Sequence, residues 1–270
     1  MIPYLNIPPL KIGPLEIHAF GVLVAIGILV GAWVVTRRAK ERKLDLDVMR
    51  SAITWLLVGG FVMAHLVAVL AYEPERVLRE PWSLLMFWSG LSSFGGFLGA
   101  FLGLYFYLRH KKVPMGPYFD CVGLGLIPGW IFGRLGCYTA HDHPGLATDF
   151  FLAVKYPPEH ACHQSGPGAA CHDLGFYELL FTLVLFVVFE FVRRRPPAPG
   201  KIAALIGFLY APVRFTLDFL RTADARYLSL TPGQYFAIAL FIGCGLFLWL
   251  GKSEALPAAP KAQRRSPRAS

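Results

Sequence analysis

Seven long apolar runs dominate this chain and limit how it can fold. They cover residues 17–36, 51–72, 83–108, 114–138, 176–193, 202–221 and 232–250. Each is about as long as the ~20 residues that a helix needs to cross the hydrocarbon core of a bilayer. Of the 270 residues, 55% are hydrophobic and only 16% are charged, which is too apolar for a soluble domain. The sequence therefore predicts an all-α, polytopic membrane protein with about seven transmembrane helices.

The lysines and arginines predict the orientation of these helices. Eighteen of the 26 lie in four segments, residues 37–50, 109–112, 193–201 and 252–270. The positive-inside rule puts these segments in the cytoplasm, so that the N-terminus lies outside and the C-terminus inside. The net charge of +9 then reflects topology, and no nucleic-acid partner is expected. We expect one transmembrane domain over residues 1–251, with an outside loop at 139–175, and a basic, disordered cytoplasmic tail at 252–270.

Ionisable side chains inside the apolar runs mark the candidate site, because such groups tend to face the interior of a bundle. They are Asp120, Arg134, Glu178, Glu190, Arg214 and Asp218. For each of them the alternative is a salt bridge that joins two helices. Asp120 and Glu190 lie near the ends of runs, where water is expected to reach them.

The sixth run carries the clearest pattern. Arg214, Asp218 and Arg221 are spaced at i, i+4 and i+7, so they share one helical face, with Tyr210 one turn earlier. This face suits an anion, and the abundant anion in a bilayer is the phosphate of a phospholipid. An arginine binds phosphate well because its planar guanidinium donates two parallel hydrogen bonds.

Six stretches resemble, in the same order, the motifs of bacterial prolipoprotein diacylglyceryl transferases. HAFG resembles that family's His-Trp-Tyr-Gly, SFGGFLG its Phe-His-Gly-Gly-x-x-Gly, and GRLGC its Gly-Arg-x-Gly-Asn signature. LGFYELLF, YAPVRFTLDFLR and LSLTPGQYFAI resemble its Tyr-Glu, Tyr-Gly-x-x-Arg-x-x-x-Glu-Phe-x-Arg and Leu-Thr-x-Gly-Gln stretches. The six stretches lie at 18–21, 93–99, 133–137, 174–181, 210–221 and 228–238.

The resemblance implies transfer of a diacylglyceryl group from phosphatidylglycerol to the lipobox cysteine of prolipoproteins in the bacterial inner membrane. The product is a thioether, glycerol phosphate leaves, and no metal or other cofactor is needed. The family's key arginines fall on Arg134 and Arg214. The residues expected to bind phosphatidylglycerol are Arg134, Arg214, Arg221, Asp218, Tyr210, His65, Gly95 and Gly96.

The chain departs from the family motifs at several positions. Phe94 replaces the histidine before Gly-Gly, Phe20 a tyrosine, Cys137 the asparagine of the signature, and His65 an arginine. Phe94 cannot accept a proton, so a base is lost.

We expect His141 or His143, close in sequence to Arg134, to replace that base, since histidine suits thiol deprotonation near neutral pH. Asp142 is expected to point away from both histidines, which leaves Asp218 or Glu178 as the group that orients the base.

The outside loop also holds five of the eight histidines together with Cys162 and Cys171. A disulfide between the two cysteines is favoured over a metal site, because the spacing matches no standard zinc pattern.

Two other functions stay open at this stage. One is a divergent homologue with another lipid donor or acceptor, and the other is a non-catalytic phospholipid- or lipoprotein-binding membrane protein. The retained arginines predict a phosphate site in either case. The added His-Asp-His segment beside Arg134 argues mildly against the inactive alternative.

Overall fold

The computed structural model describes residues 1–13, 15–72, 74–86, 90–222 and 226–251. Over these residues the fold is mostly helical, and the tail at 252–270 lies outside the described part of the chain. The helices are α1 (Ala19–Glu41), α2 (Leu46–Val67), α3 (Pro74–Arg79), α4 (Ser93–Lys111), α5 (Met115–Ala140), α6 (Leu174–Val192), α7 (Lys201–Leu217) and α8 (Pro232–Leu250). A π-helical turn at Ala68–Tyr72 follows α2, and a 3₁₀ turn at Asp218–Leu220 follows α7.

Six helices of the described residues are long and apolar enough to cross a membrane, namely α1, α2, α5, α6, α7 and α8. This confirms a polytopic helical membrane protein. Within the third predicted run, 83–108, helix α4 begins at Ser93, where Ser92 caps it by accepting a hydrogen bond from the Gly95 amide at 3.4 Å. A 3₁₀ turn at Pro81–Leu85 lies before it.

Glycines let the long helices pack in antiparallel pairs. In the α1–α5 pair a Cβ on Gly27 would lie only 2.6 Å from the carbonyl oxygen of Gly129. In the α2–α4 pair a Cβ on Gly59 would lie 2.6 Å from the carbonyl oxygen of Gly99. A side chain at these positions would push the backbones apart, so the small residues are required by close helix packing.

A small folded cap takes the place of the predicted outside loop. Strands β1 (Ile2–Pro3), β4 (Pro144–Thr148), β5 (Val154–Lys155) and β6 (Ala170–Asp173) form a sheet in the order β1-β5-β6-β4. A separate antiparallel hairpin joins β2 (Leu10–Ile12) to β3 (Leu15–Ile17). A disulfide links Cys162 to Cys171 inside the cap, as the sequence favoured. The predicted loop thus contains short strands, and pairing of β5 with β1 of the N-terminal segment satisfies part of its backbone.

The opposite end of the bundle holds a buried carboxylate. Asp120 is fully buried, pairs with Arg42 at 3.1 Å and accepts hydrogen bonds from the amides of Gly200 and Ala203 at the start of α7. The expectation that water reaches Asp120 was wrong, because its carboxylate caps a helix N-terminus inside the protein. Arg134 and Arg214 lie at the other end of the bundle, near the ends of α5 and α7.

Candidate active site

Glu178 lies at the centre of the candidate site. It is in the first half of α6, after Asp173 has capped that helix through the Phe176 amide at 2.9 Å. Its side chain is fully buried. Oε2 lies 2.7 Å from Nη2 of Arg134, and Oε1 lies 2.9 Å from Nη1 of Arg214. One carboxylate on α6 thus holds arginines from α5 and α7 together.

Two aromatic side chains contact the ion pair between Arg134 and Glu178. The Tyr210 hydroxyl donates a hydrogen bond to Oε2 of Glu178 at 3.1 Å, and its ring packs edge-on against Trp130 at 4.4 Å. The guanidinium of Arg134 lies over the Trp130 ring at 5.8 Å. The Nε atom of Arg134 is buried and makes no hydrogen bond within the described part of the protein. Such a buried donor is costly unless a ligand satisfies it.

Asp218 pairs with two arginines, Arg214 and Arg221. Its Oδ1 lies 2.9 Å from Nη2 of Arg214 and 3.1 Å from Nε of Arg221. Its Oδ2 accepts a hydrogen bond of 2.6 Å from Thr231, which also starts α8 in a capping box with Gln234. The predicted common face of Arg214, Asp218 and Arg221 thus holds, although the α-helix ends at Leu217 and a 3₁₀ turn follows.

A cavity of about 350 Å³ opens beside these arginines. Arg134, Tyr210, Arg214 and Arg221 supply charged and polar groups to its wall, and His143 lies at its edge. The remaining wall comes from Ala68, Gly90, Leu91, Ser92, Ser93, Phe94, Phe97, Gly233 and Phe236. The cavity therefore offers guanidinium donors on one side and aromatic surface on the other, which suits an amphipathic ligand.

The two loop histidines have different surroundings. His141 is buried, its Nδ1 lies 3.0 Å from Asp173 and its Nε2 lies 3.1 Å from the Leu5 carbonyl. Tyr4 stacks on its ring at 4.1 Å. Tyr156 donates a hydrogen bond to the same Asp173 oxygen, and burial together with this carboxylate raises the pKa of Tyr156. Both ring nitrogens of His141 are engaged in the cap, away from the cavity.

His143 faces the cavity instead. Its Nδ1 lies 2.7 Å from Oδ1 of Asp142, so the expectation that Asp142 points away from it was wrong. The reason is the irregular backbone after α5, where His141 adopts a left-handed conformation with φ of 49°. Alternation of side chains holds only in regular strands, so it does not apply to this turn.

The other predicted ligand-binding residues lie outside the cavity wall. His65 is fully buried, with its ring nitrogens 3.1 Å from the Ser83 carbonyl and 3.4 Å from the Gly90 carbonyl. Gly95 packs so closely on α2 that a Cβ would clash with the Met63 carbonyl, and Gly96 also faces α2. These three residues fix the segment that leads into α4.

Glu178 is the residue that the predicted site omitted. The sequence marked it as an ionisable group in a run and as a partner for a displaced base, with no role toward the arginines. The sequence indicated this residue through the Tyr-Glu pair in LGFYELLF. Its contact with two arginines depends on the packing of α5, α6 and α7, which the sequence pattern does not show.

Two groups of side chains in the described residues have the composition of a metal site. Cys162, His163 and Cys171 form the first, but both of its sulfur atoms belong to the disulfide. Cys137, Asp142 and His143 form the second, at the edge of the cavity.

Comparison with known proteins gives one consistent result. A family model described as prolipoprotein diacylglyceryl transferase matches residues 9–250. The phosphatidylglycerol–prolipoprotein diacylglyceryl transferase of Pseudomonas fluorescens is 33% identical over 286 residues, spanning 97% of this chain and 99% of the relative. The enzymes of the same name from Pseudomonas putida and Nitratidesulfovibrio vulgaris are each 31% identical, over 96% and 93% of this chain and 99% and 96% of their own lengths.

Proposed function

Because the chain belongs to the prolipoprotein diacylglyceryl transferase family, we propose that the arginine cluster around Glu178 is its active site. The protein is a membrane enzyme that transfers a diacylglyceryl group from phosphatidylglycerol to a prolipoprotein. The observation that carries the assignment of the site is the single buried carboxylate that holds Arg134 and Arg214 beside a cavity.

The charge of the cluster supports the binding of one phosphodiester. Three guanidinium groups, from Arg134, Arg214 and Arg221, face two carboxylates, from Glu178 and Asp218. The phosphodiester of phosphatidylglycerol carries one negative charge, which guanidinium groups bind through paired hydrogen bonds. The carboxylates also fix the guanidinium planes, so little side-chain freedom is lost when the phosphate binds.

The same cluster stabilises the departing group. The acceptor is the thiol of a lipobox cysteine, whose sulfur attacks the diacylglyceryl carbon that carries the phosphate oxygen. A carbon–sulfur bond forms, the carbon–oxygen bond breaks, and glycerol phosphate leaves with one more negative charge than the bound diester. Guanidinium groups held in a site shielded from water stabilise this growing charge more than the ground state, and such interactions raise the rate.

His143 accepts the thiol proton in this scheme. It is the histidine at the cavity, and Asp142 lies beside its ring. The thiolate is the reactive form of the acceptor, and a thiol with a pKa near 8.5 needs a base at neutral pH. His141 instead holds the cap in place through Asp173 and Leu5.

An apolar groove of about 240 Å³ suits an acyl chain of the lipid. Residues from α1, α2, α4 and α5 line it, with glycines at 27, 31, 125, 129 and 133. Phe97 lines both this groove and the cavity, and Trp130 connects the groove to Arg134 and Tyr210. A lipid with its phosphate at the arginines would therefore have apolar surface for a chain close by.

The enzyme acts at the outer face of the bacterial inner membrane in this proposal. The basic segments at 37–50, 109–112 and 193–201 join helices at the end opposite to the cap, which supports a cytoplasmic location for that end. Counting α4 as a seventh span brings the N-terminus outside and the C-terminus inside. The cavity at the cap end then meets prolipoproteins after their export.

A direct transfer assay tests the assignment. The purified full chain in detergent is given phosphatidylglycerol and a lipobox peptide, and the mass of the peptide is followed for the wild type and for Arg134→Lys. We expect a diacylglyceryl increment on cysteine that the substitution largely removes. If phosphatidylglycerol binds but the wild type gives no increment, the non-catalytic alternative replaces the proposal, and an increment only with another lipid would support the divergent donor.

A further inference from the structure

Three potential metal ligands converge at the edge of the cavity. Cys137 is in the last turn of α5, and Asp142 and His143 follow in the turn after that helix. One ligand atom from each lies within 4.8 Å of the other two. The neighbouring His141 is held in the cap by Asp173, which fixes the path of the backbone between the three residues.

Thiolate, carboxylate and imidazole together are ligands of zinc and of similar thiophilic divalent ions. In a tetrahedral zinc site the metal–ligand bonds of about 2.0–2.3 Å hold neighbouring ligand atoms roughly 3.5 Å apart. Cys137 and Asp142 would supply two negative charges, which offset the ion beside the guanidinium of Arg134, 3.9 Å from the sulfur.

The Nδ1 atom of His143 supports the same assignment. Nδ1 of His143 is buried and makes no hydrogen bond within the described residues, although it lies 2.7 Å from Oδ1 of Asp142. A metal ion bound at this nitrogen would satisfy it. The Asp142 side chain is 39% exposed, so a hydrated ion can reach the group from outside the membrane.

We propose that Cys137, Asp142 and His143 bind a thiophilic divalent cation of the zinc type, and that the bound ion switches the transferase off. Binding replaces the thiol proton of Cys137 with the ion and releases that proton to water. The ion also takes the lone pair of His143. The switching half rests on the proposed function, because His143 on a metal cannot accept the proton of the acceptor thiol.

Cobalt binding tests the site without any activity measurement. Cobalt(II) is titrated into the purified full chain in detergent, and absorption is recorded in the sulfur-to-cobalt charge-transfer region and in the visible d–d region. We expect one equivalent to give both bands and Cys137→Asn, which inserts the residue of the family motif, to abolish the charge-transfer band. Cys244→Ala, which removes a free thiol in α8, serves as the control and should keep the band. A wild type without the band, or an unchanged band in Cys137→Asn, overturns the proposal.

Zinc inhibition of the transfer reaction tests the second part of the proposal, that the bound ion switches the enzyme off. We expect stoichiometric zinc to lower the wild-type rate at least tenfold and a chelator to restore it. Cys137→Asn should keep its metal-free rate and resist zinc. Equal inhibition of both proteins, or full activity of a zinc-loaded wild type, would rule out this switch. A preparation without transfer activity would overturn the proposed function, while the cobalt spectra would still decide whether the ion binds.

Discussion

Arg134 and Glu178 form an ion pair of 2.7 Å in which both side chains are buried, the arginine at 7% exposure and the glutamate at 0%. Oε2 of Glu178 also accepts the Tyr210 hydroxyl, while its Oε1 binds Arg214. Removing one partner of a buried ion pair is strongly destabilising, because the remaining charge loses its counter-ion in surroundings that solvate it poorly. The pair therefore links the stability of the bundle to the geometry of the site.

Replacing Glu178 by Gln should destabilise the protein by about 3–5 kcal/mol, because the buried Arg134 and the partly buried Arg214 lose their shared counter-charge. Transfer activity should fall with it. Thermal unfolding in detergent and the transfer assay measure the two effects. Glu190→Gln is the matched control at the other end of α6, where the side chain is 31% exposed and pairs with Arg38 and Arg193. It should cost no more than about 1 kcal/mol. Equal losses in the two variants would contradict a special role for Glu178.

Replacing Arg134 or Arg214 by Lys should lower the transfer rate by about 10²–10³-fold, since a lysine offers a point charge where the site holds a planar donor. The measurement is kcat/KM for phosphatidylglycerol. Arg42→Lys is the control, because Arg42 pairs with the buried Asp120 far from the cavity. An Arg42 variant that loses as much activity would show that the effect is general to buried arginines of this fold.

Replacing His143 by Gln should lower the rate by about 10²–10⁴-fold and leave unfolding almost unchanged, because the ring lines the cavity and is the base of the proposed reaction. Replacing His141 by Gln should instead lower the melting temperature, since both nitrogens of that ring tie the cap together. Measuring the transfer rate and the melting temperature of both variants separates a catalytic role from a structural one. A His143 variant with the full rate would end the assignment of the base to this loop.

Gly233→Ala should lower transfer activity, although alanine favours the helix by about 0.5–1 kcal/mol over glycine. The new Cβ would clash with Oδ2 of Asp218 and lie 3.2 Å from Nη2 of Arg214, so the guanidinium has to move. Gly243→Ala, in the same helix, meets nothing within 4 Å and should be neutral or slightly stabilising. The transfer rates of the two variants are compared at equal folded fraction. A fully active Gly233→Ala variant would show that Asp218 need not hold Arg214 rigidly.

Reduction of the Cys162–Cys171 disulfide should destabilise the cap by about 2–4 kcal/mol, since the bond closes a short loop in the unfolded chain. Hydrogen exchange of the cap amides, with and without reductant, measures this locally. The helices should keep their protection. Unchanged exchange at the amides around β6 would contradict a stabilising role for the bond.

Features of this protein that depend on local patterns could be predicted from its sequence. Apolar runs of bilayer length fixed the class of fold, because a chain in lipid must satisfy its backbone within each helix. The spacing of Arg214, Asp218 and Arg221 and the motif around Arg134 identified the arginines. The compartment and the proximity of Cys162 and Cys171 favoured their disulfide, which the structure contains.

Contacts between residues of different helices could be seen only in the folded protein. The fold joins Arg134 and Arg214 through Glu178, although the two arginines are 80 positions apart in the chain. It also separated His141 from His143, two neighbours that look equivalent in sequence, because the left-handed residue at the end of α5 turns one ring into the cap and leaves the other at the cavity. Helix periodicity orders residues along one element, whereas the contacts between elements depend on packing that no single segment encodes.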